Sequence, residues 1–142
     1  MTPKLIKTAL LLSILAALAG CDEHVDYKDD GLNFDVDKDL QSALQQKRMP
    51  LLAVRLGCNA CHAIDRKLVG PAWEDVGKRY ANATTYEYKG KTYPVIEGLV
   101  QKVSHGGTGN WGVESMPALD PSGGKHDQIA KLVGFILKLG KQ

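Results

Sequence analysis

The sequence predicts an all-α protein of about four to five short helices, and three patterns support this. Apolar residues near the carboxyl end recur at the spacing of one helical face. Prolines stand where helices would begin and glycines where they would end. Residues 84–92 alone are strand-like, and their tyrosines around Gly90 equally favour a small hairpin. We therefore expect one helical domain over residues 50–142, a length typical of a small domain.

Residues 1–20 predict a signal peptide. Lys4 and Lys7 precede an apolar stretch that ends by Gly20, which is the arrangement of an export signal. The stretch is shorter than the roughly 20 residues that a membrane-spanning helix requires, so a cleaved signal is favoured over a transmembrane segment. The mature chain is expected outside the cytoplasm.

The end of that signal predicts a lipid anchor. The run Leu18-Ala19-Gly20-Cys21 resembles the lipobox of bacterial lipoproteins, whose signal is cut before a cysteine that then carries lipid. The alternative is a stray thiol beside an ordinary signal peptide. Asp22 resembles the residue that keeps enteric lipoproteins in the inner membrane. We expect lipidation of Cys21 and attachment to the periplasmic face of a bacterial membrane, the inner one.

Charge divides the mature chain into an acidic tail and a basic body. Residues 22–39 carry eight acidic and two basic side chains, whereas residues 40–142 carry fourteen basic and eight acidic ones. Residues 21–49 also contain few large apolar groups, which favours a tether with at most a short helix at residues 39–47. The lysines are scattered rather than interleaved with aromatic residues, so nucleic acid is not an expected partner.

The body is expected to contain four helices. Prolines open two of them and glycines close them, at residues 50–57 and 94–107. Trp73, Val76 and Tyr80 lie at i, i+3 and i+7 and predict another. The last helix has the clearest apolar stripe, formed by Ile129, Leu132, Val133, Ile136 and Leu137.

The run Cys58-Asn59-Ala60-Cys61-His62 matches the attachment site of a c-type haem. Each cysteine sulfur can add to one haem vinyl group, and the tether leaves His62 under the iron as the proximal ligand. The alternative, a disulfide or a thioredoxin-like redox pair, needs a βαβ context, and nothing nearby resembles a strand followed by a helix. One covalently attached haem c is the predicted cofactor.

Met116 is the candidate for the sixth iron position. It lies in a glycine-rich loop and precedes Pro117, and glycines let a backbone approach a flat cofactor closely. Met1 is lost with the signal, and Met49 is too near Cys58 to reach the opposite face. A methionine ligand raises the haem potential.

Two histidines remain as rivals for that position. His105 and His126 could each bind iron, although a surface or helix-end histidine is the simpler interpretation of both.

These motifs together resemble the small monohaem class I cytochromes c of bacteria. The resemblance covers residues 50–138, with a divergent insertion at residues 82–93. It rests on Gly57 to Asp65, Val69-Gly70-Pro71-Ala72-Trp73, Gly109, Trp111-Gly112, Met116-Pro117 and Phe135.

The resemblance implies roles for further residues. The Pro71 carbonyl would accept a hydrogen bond from the His62 ring, which orients a metal-bound histidine. Trp111 would hydrogen-bond a haem propionate together with Lys102, although simple packing of Trp111 is the alternative. The family often carries an amide side chain shortly after the ligand methionine to bond its sulfur, whereas Ala118, Leu119 and Asp120 follow here.

We expect a one-electron carrier rather than an enzyme, exchanging electrons with protein redox partners. The basic body favours partners with acidic docking surfaces, although a merely solvated surface is the alternative. The alternative function is a haem enzyme or gas sensor, in which Met116 leaves the iron and peroxide, NO or CO takes its place.

Overall fold

The computed structural model describes residues 34–142, and the folded part is built from five α-helices and one small hairpin. A short 3₁₀ turn at Cys58–Ala60 carries the first cysteine of the haem motif. The elements are α1 Val36–Gln46, α2 Leu51–Arg55, α3 Trp73–Tyr80, β1 Thr85–Tyr88, β2 Lys91–Pro94, α4 Val95–His105 and α5 His126–Leu139. The predicted all-α class is confirmed.

Proline and glycine mark the ends of the helices as expected. Pro50 and Pro94 are the extended residues immediately before α2 and α4. The chain leaves α4 at Gly106, whose φ of 69° is one that residues with a side chain rarely adopt. Gly57 has a φ of 74° and separates α2 from the 3₁₀ turn. These residues mark the bounds of α2 and α4.

Helix α5 is central to the core and packs against both α3 and α4. Gly77 and Gly140 allow α3 and α5 to touch through their backbones, because a Cβ on Gly140 would lie 2.0 Å from the Gly77 carbonyl carbon. Phe135 is buried and meets Trp73 edge to face, with ring centroids 6.1 Å apart. The apolar stripe of α5 therefore faces inward, as its periodicity predicts.

Strands β1 and β2 form an antiparallel hairpin in which Tyr86 pairs with Tyr93. Its two turn residues, Lys89 and Gly90, have φ values of 50° and 74°. Two positive φ values in a two-residue turn match the right-handed twist of the strands. The hairpin interpretation of residues 84–92 is thus confirmed, and Tyr86 turns inward to join the core.

Part of the expected tether belongs to the folded unit, which runs from Asp35 to Gln142. Helix α1 packs against α5 and α2. The buried Asp39 carboxylate accepts a hydrogen bond of 3.1 Å from the Leu52 backbone N–H at the start of α2. An acidic, weakly apolar helix therefore joins the domain through a buried polar contact, so the folded unit begins well before Pro50.

The predicted signal peptide and Cys21 lie outside the described residues. Within residues 34–142, no helix combines the length and the apolar character needed to cross a bilayer.

Candidate haem site

One cleft brings together every predicted haem-site residue of the folded unit. It encloses about 1310 Å³ of empty space, its open mouth included, and its wall is mainly apolar. Residues from the 3₁₀ turn, α3, β1, α4, α5 and the segment after α4 line it, and Tyr86 is the β1 residue among them. The predicted site residues among them are Cys58, Cys61, His62, Pro71, Lys102, Trp111 and Met116.

Local backbone contacts fix the His62 side of the cleft. The His62 and Cys61 N–H groups both donate to the Cys58 carbonyl, at 3.0 and 3.2 Å. His62 Nδ1 lies 2.8 Å from the Pro71 carbonyl oxygen, and because a carbonyl can only accept, Nδ1 carries the proton. This leaves Nε2 with a free lone pair, as a metal-binding imidazole requires.

Gly70 allows this arrangement. A Cβ at this position would lie 2.3 Å from His62 Cε1, so any side chain would collide with the imidazole. The Gly70 N–H also donates to the Cys61 carbonyl at 2.8 Å, which holds the two segments together. The imidazole ring is thus confined between its own turn and the segment that ends in Pro71.

The two cysteines are free thiols rather than a disulfide. Burial, with a smaller contribution from the neighbouring Cys61, raises the pKa of Cys58 to about 11. A thioredoxin-like pair needs the opposite shift, because its reactive form is a thiolate. The environment of Cys58 therefore disfavours the redox-pair interpretation and suits a neutral sulfur in an apolar cleft.

Met116 lines the cleft from a separate segment, residues 106–117, which we call the ligand loop. The backbones of Met116 and Gly107 pair through two hydrogen bonds of 2.9 and 3.0 Å. A Cβ on Gly106 would lie 2.4 Å from the Met116 carbonyl oxygen, so glycine is required at that crossing. The base of the ligand loop is therefore a closed, narrow neck.

Lys102 presents a partly desolvated cation to the cleft. Burial lowers the pKa of its ammonium, and the nearby Lys89 lowers it further. Lys102 forms no ion pair within residues 34–142, and a Cβ on Gly107 would lie 3.5 Å from its Nζ. A partly buried cation without a carboxylate partner suits an anionic group of a ligand, such as a haem propionate.

Trp111 also lines the cleft, and Arg79 holds its ring from outside. The Arg79 guanidinium lies 4.8 Å from the Trp111 ring centroid and donates a hydrogen bond of 2.7 Å to the Asn110 carbonyl. Sequence reasoning missed Arg79 and Asn110, because they belong to different elements and neither lies in a haem motif.

The rival iron ligands lie elsewhere. His105 is exposed and its Nδ1 lies 3.2 Å from the Gln101 carbonyl oxygen. His126 is also exposed, and its Nε2 lies 3.2 Å from a Glu97 carboxylate oxygen. Neither histidine lines the cleft, and neither does Met49. No group of three or more histidine, cysteine or acidic side chains in residues 34–142 could hold a metal ion by itself.

The residues of the cleft fit a haem. Two thiols and an imidazole with a free Nε2 lie on one short segment, a thioether comes from another, and a desolvated cation lies in the same mainly apolar wall. A flat, apolar cofactor with anionic substituents matches this set of groups.

Comparison with known proteins agrees with the interpretation of this cleft as a haem site. The chain is 41% identical over 61 residues to cytochrome c-551 of Azotobacter vinelandii, covering 43% of this chain and 63% of that protein. It is 38% identical over 93 residues to cytochrome c2 of Rhodocyclus tenuis, covering 62% of this chain and 88% of that protein. The match thus spans just under two thirds of the first relative and most of the second. No protein-family model matches the sequence.

A solved structure extends the likeness to the fold. The crystal structure of cytochrome c552 from Nitrosomonas europaea superposes on this chain with a TM-score of 0.51 at 30% sequence identity. The match covers 62% of this chain and 95% of that one. The chain belongs to the bacterial class I monohaem cytochromes c, a family that carries a covalently bound c-type haem.

Proposed function

We propose that this protein is a one-electron carrier with a single haem, attached through Cys58 and Cys61 and axially ligated by His62 and Met116. The observation that carries this proposal is that both candidate ligands line the same mainly apolar cleft as the two thiols. The hydrogen bond of His62 Nδ1 to Pro71, which directs Nε2 away from the backbone, supports it further.

The haem supplies an iron that gains and loses one electron. The protein holds His62 in one tautomer and excludes most water with the apolar wall. With His62 and Met116 both bound, the iron would have no open position for a substrate. Among the described residues, no histidine other than His62 lines the cleft, so no second imidazole is placed there to act as a general acid or base. This favours electron transfer over the enzyme or sensor alternative.

The partners we propose are redox proteins with acidic docking surfaces. Basic side chains outnumber acidic ones over residues 40–142, and Lys102 lies at the cleft itself. Complementary charge speeds the encounter of two proteins and weakens as salt rises. Electron transfer with an acidic partner should therefore slow as ionic strength increases.

We also propose that lipid on Cys21 holds the protein at the periplasmic face of the inner membrane. The support is the lipobox-like run before Cys21, with Asp22 after it. The test is Cys21→Ser in the full chain. We expect unchanged haem loading and a shift from the membrane to the soluble periplasmic fraction. Retention in the membrane fraction would mean that another feature anchors the chain.

The electron-carrier proposal is tested by optical spectra of the oxidised and reduced protein, followed by CO addition to the reduced form. A low-spin spectrum, a weak far-red band of ferric iron bound to methionine sulfur, and no response to CO would support it. A high-spin spectrum or ready CO binding would instead indicate an open iron site and the enzyme or sensor alternative.

Two methionine variants assign the sixth ligand. Met116→Ala should abolish the far-red band and allow CO to bind. Its potential should fall by an amount on the order of 100 mV or more, since axial ligands set haem potentials over about 0.8 V. Met49→Ala is the matched control, because Met49 is half-buried but does not line the cleft. A far-red band that survives in Met116→Ala would remove Met116 as the ligand.

A further inference from the structure

The ligand loop has little rigidity of its own. Four of its glycines have positive φ, and glycine loses more conformational freedom on folding than any other residue. Its internal backbone bonds are the pair between Gly107 and Met116 and one bond of 3.2 Å from the Gly109 N–H to the Gly112 carbonyl. Most residues between the two ends are exposed. Contacts from other elements must therefore decide how firmly the loop is held.

The β1–β2 hairpin supplies contacts at two points of this loop. The Tyr88 hydroxyl donates a hydrogen bond of 3.0 Å to the Gly106 carbonyl, where the loop begins. The Tyr86 hydroxyl accepts a hydrogen bond from Nδ2 of Asn110, near the tip. One hairpin thus holds both the beginning and the tip of the segment that carries Met116.

The hairpin is itself firmly seated. Tyr86 is only 5% exposed, and its ring meets Tyr80 edge to face with centroids 5.4 Å apart. It packs so closely on α4 that a Cβ on Gly98 would lie 2.7 Å from Tyr86 Cβ. Because Tyr86 belongs to the core, the loop is tied to a part of the fold that moves little.

We propose that the β1–β2 hairpin braces the ligand loop through the Tyr86 and Tyr88 hydroxyls, and so limits how readily an external ligand displaces Met116. The proposal rests on the proposed ligation of the haem iron by His62 and Met116. Tyr86 and Tyr88 are positioning residues, because they act on Met116 through Asn110 and Gly106.

The brace has a measurable consequence. An external ligand reaches the iron only in the fraction of molecules whose loop has opened, so its apparent affinity rises with that fraction. Each hydroxyl stabilises the closed loop relative to the open one. Removing a hydroxyl should therefore tighten binding of an external ligand without changing any group that touches the iron.

The test is a titration of the oxidised full-length holoprotein with imidazole, in which loss of the far-red band reports displacement of Met116. Tyr86→Phe and Tyr88→Phe should each bind imidazole roughly 3- to 10-fold more tightly than wild type, the value of one net hydrogen bond. The double variant should show about the product of the two effects, because the hydroxyls hold different parts of the loop.

Tyr93→Phe is the matched control. Tyr93 lies opposite Tyr86 in the same hairpin, and its hydroxyl makes no hydrogen bond to another group within residues 34–142. Its imidazole affinity should equal that of wild type. Urea unfolding of all variants, measured by circular dichroism, separates effects on the loop from effects on the stability of the whole fold. A lowered unfolding midpoint with unchanged imidazole affinity in Tyr86→Phe and Tyr88→Phe would overturn the brace.

The two proposals fail differently. A wild-type protein without the far-red band would overturn ligation by Met116, and the brace with it. A wild-type protein with that band, whose Tyr86→Phe and Tyr88→Phe variants bind imidazole like Tyr93→Phe, would overturn the brace alone.

Discussion

The two sides of the haem cleft are held by different kinds of contact. On the His62 side, hydrogen bonds join residues close in sequence, such as His62 to Cys58 and to Pro71. On the Met116 side, the loop is held by side chains from α3 and the hairpin. Arg79 and Tyr86, which bond Asn110, are 31 and 24 residues away from it in sequence.

This difference affects the entropy cost of holding each side chain in place and the access of external ligands to the iron. A ligand fixed by its own turn needs few distant contacts, because the chain between the partners is short and closing it costs little. The proposed ligand Met116 lies on a glycine-rich loop and remains in place only while other elements hold that loop. We therefore expect changes near His62 to alter stability and haem geometry, and changes around the ligand loop to alter access to the iron.

The largest effect should come from Gly70→Ala. The added methyl group would lie 2.3 Å from the His62 ring, so the ring or the backbone must move. We expect the free energy of unfolding to fall by about 3 kcal/mol, the upper end for overpacked sites. The measurement is urea unfolding of the holoprotein. Gly134→Ala is the control, because a Cβ there meets nothing within 4 Å and alanine favours helix. Equal stability of the two variants would contradict the confined ring.

Asp39→Ala should have the next largest effect. It removes the acceptor for the Leu52 N–H and the partner of Arg48, whose Nη1 lies 3.4 Å from the Asp39 carboxylate. Losing such a buried acceptor should destabilise the fold by about 1–3 kcal/mol, measured by urea unfolding. Asp39→Asn keeps an acceptor and should lose less. Wild-type stability in Asp39→Ala would mean that the Asp39 contacts contribute nothing to the stability of the folded unit.

Arg79→Lys should have a smaller effect that is confined to the ligand loop. Lysine keeps the charge but loses the planar group that contacts both Trp111 and the Asn110 carbonyl. Imidazole should bind the oxidised protein about 2- to 5-fold more tightly, with little change in the unfolding midpoint. Arg66→Lys is the control, since Arg66 is exposed and pairs with Asp65. Similar affinity in both variants would separate Arg79 from loop closure.

The smallest effect should be the pH dependence of the ion pair between Glu97 of α4 and His126 of α5, which we call the bridge. The Asp127 and Glu97 carboxylates accept hydrogen bonds from the His126 ring and raise its pKa, whereas hydrogen bonds donated by Gln101 and His126 lower the pKa of Glu97. The His126 contribution is complete below about pH 6.5 and is lost as pH rises through the raised pKa. The Glu97 contribution is present above about pH 4.5 and is lost as pH falls through the lowered pKa.

The bridge should therefore stabilise the fold most between about pH 4.5 and pH 6.5. His126→Gln should lower the thermal midpoint slightly at about pH 5.5 and have no effect at about pH 8. Both side chains are exposed, so the difference should shrink in high salt. An equal difference at both pH values would show that protonation of His126 plays no part.

Most of the fold could be predicted from local sequence, as α5 and the hairpin illustrate. The stripe that begins at Ile129 predicted which face of α5 is buried, and the two positive φ values at Lys89 and Gly90 belong to the turn expected there. The start of the folded unit was not predicted, because one of the contacts that join α1 to the body is made by the buried Asp39 carboxylate, a charged group that the sequence favours as exposed.

By itself, the sequence determined the haem attachment motif, the candidate ligands His62 and Met116, and the class of fold. These follow from residues that are adjacent or regularly spaced, so short-range geometry is enough. Only the tertiary structure decided that α1 belongs to the domain and that Arg79, Tyr86 and Tyr88 hold the ligand loop. Such contacts join residues far apart in sequence, and packing rather than spacing selects them.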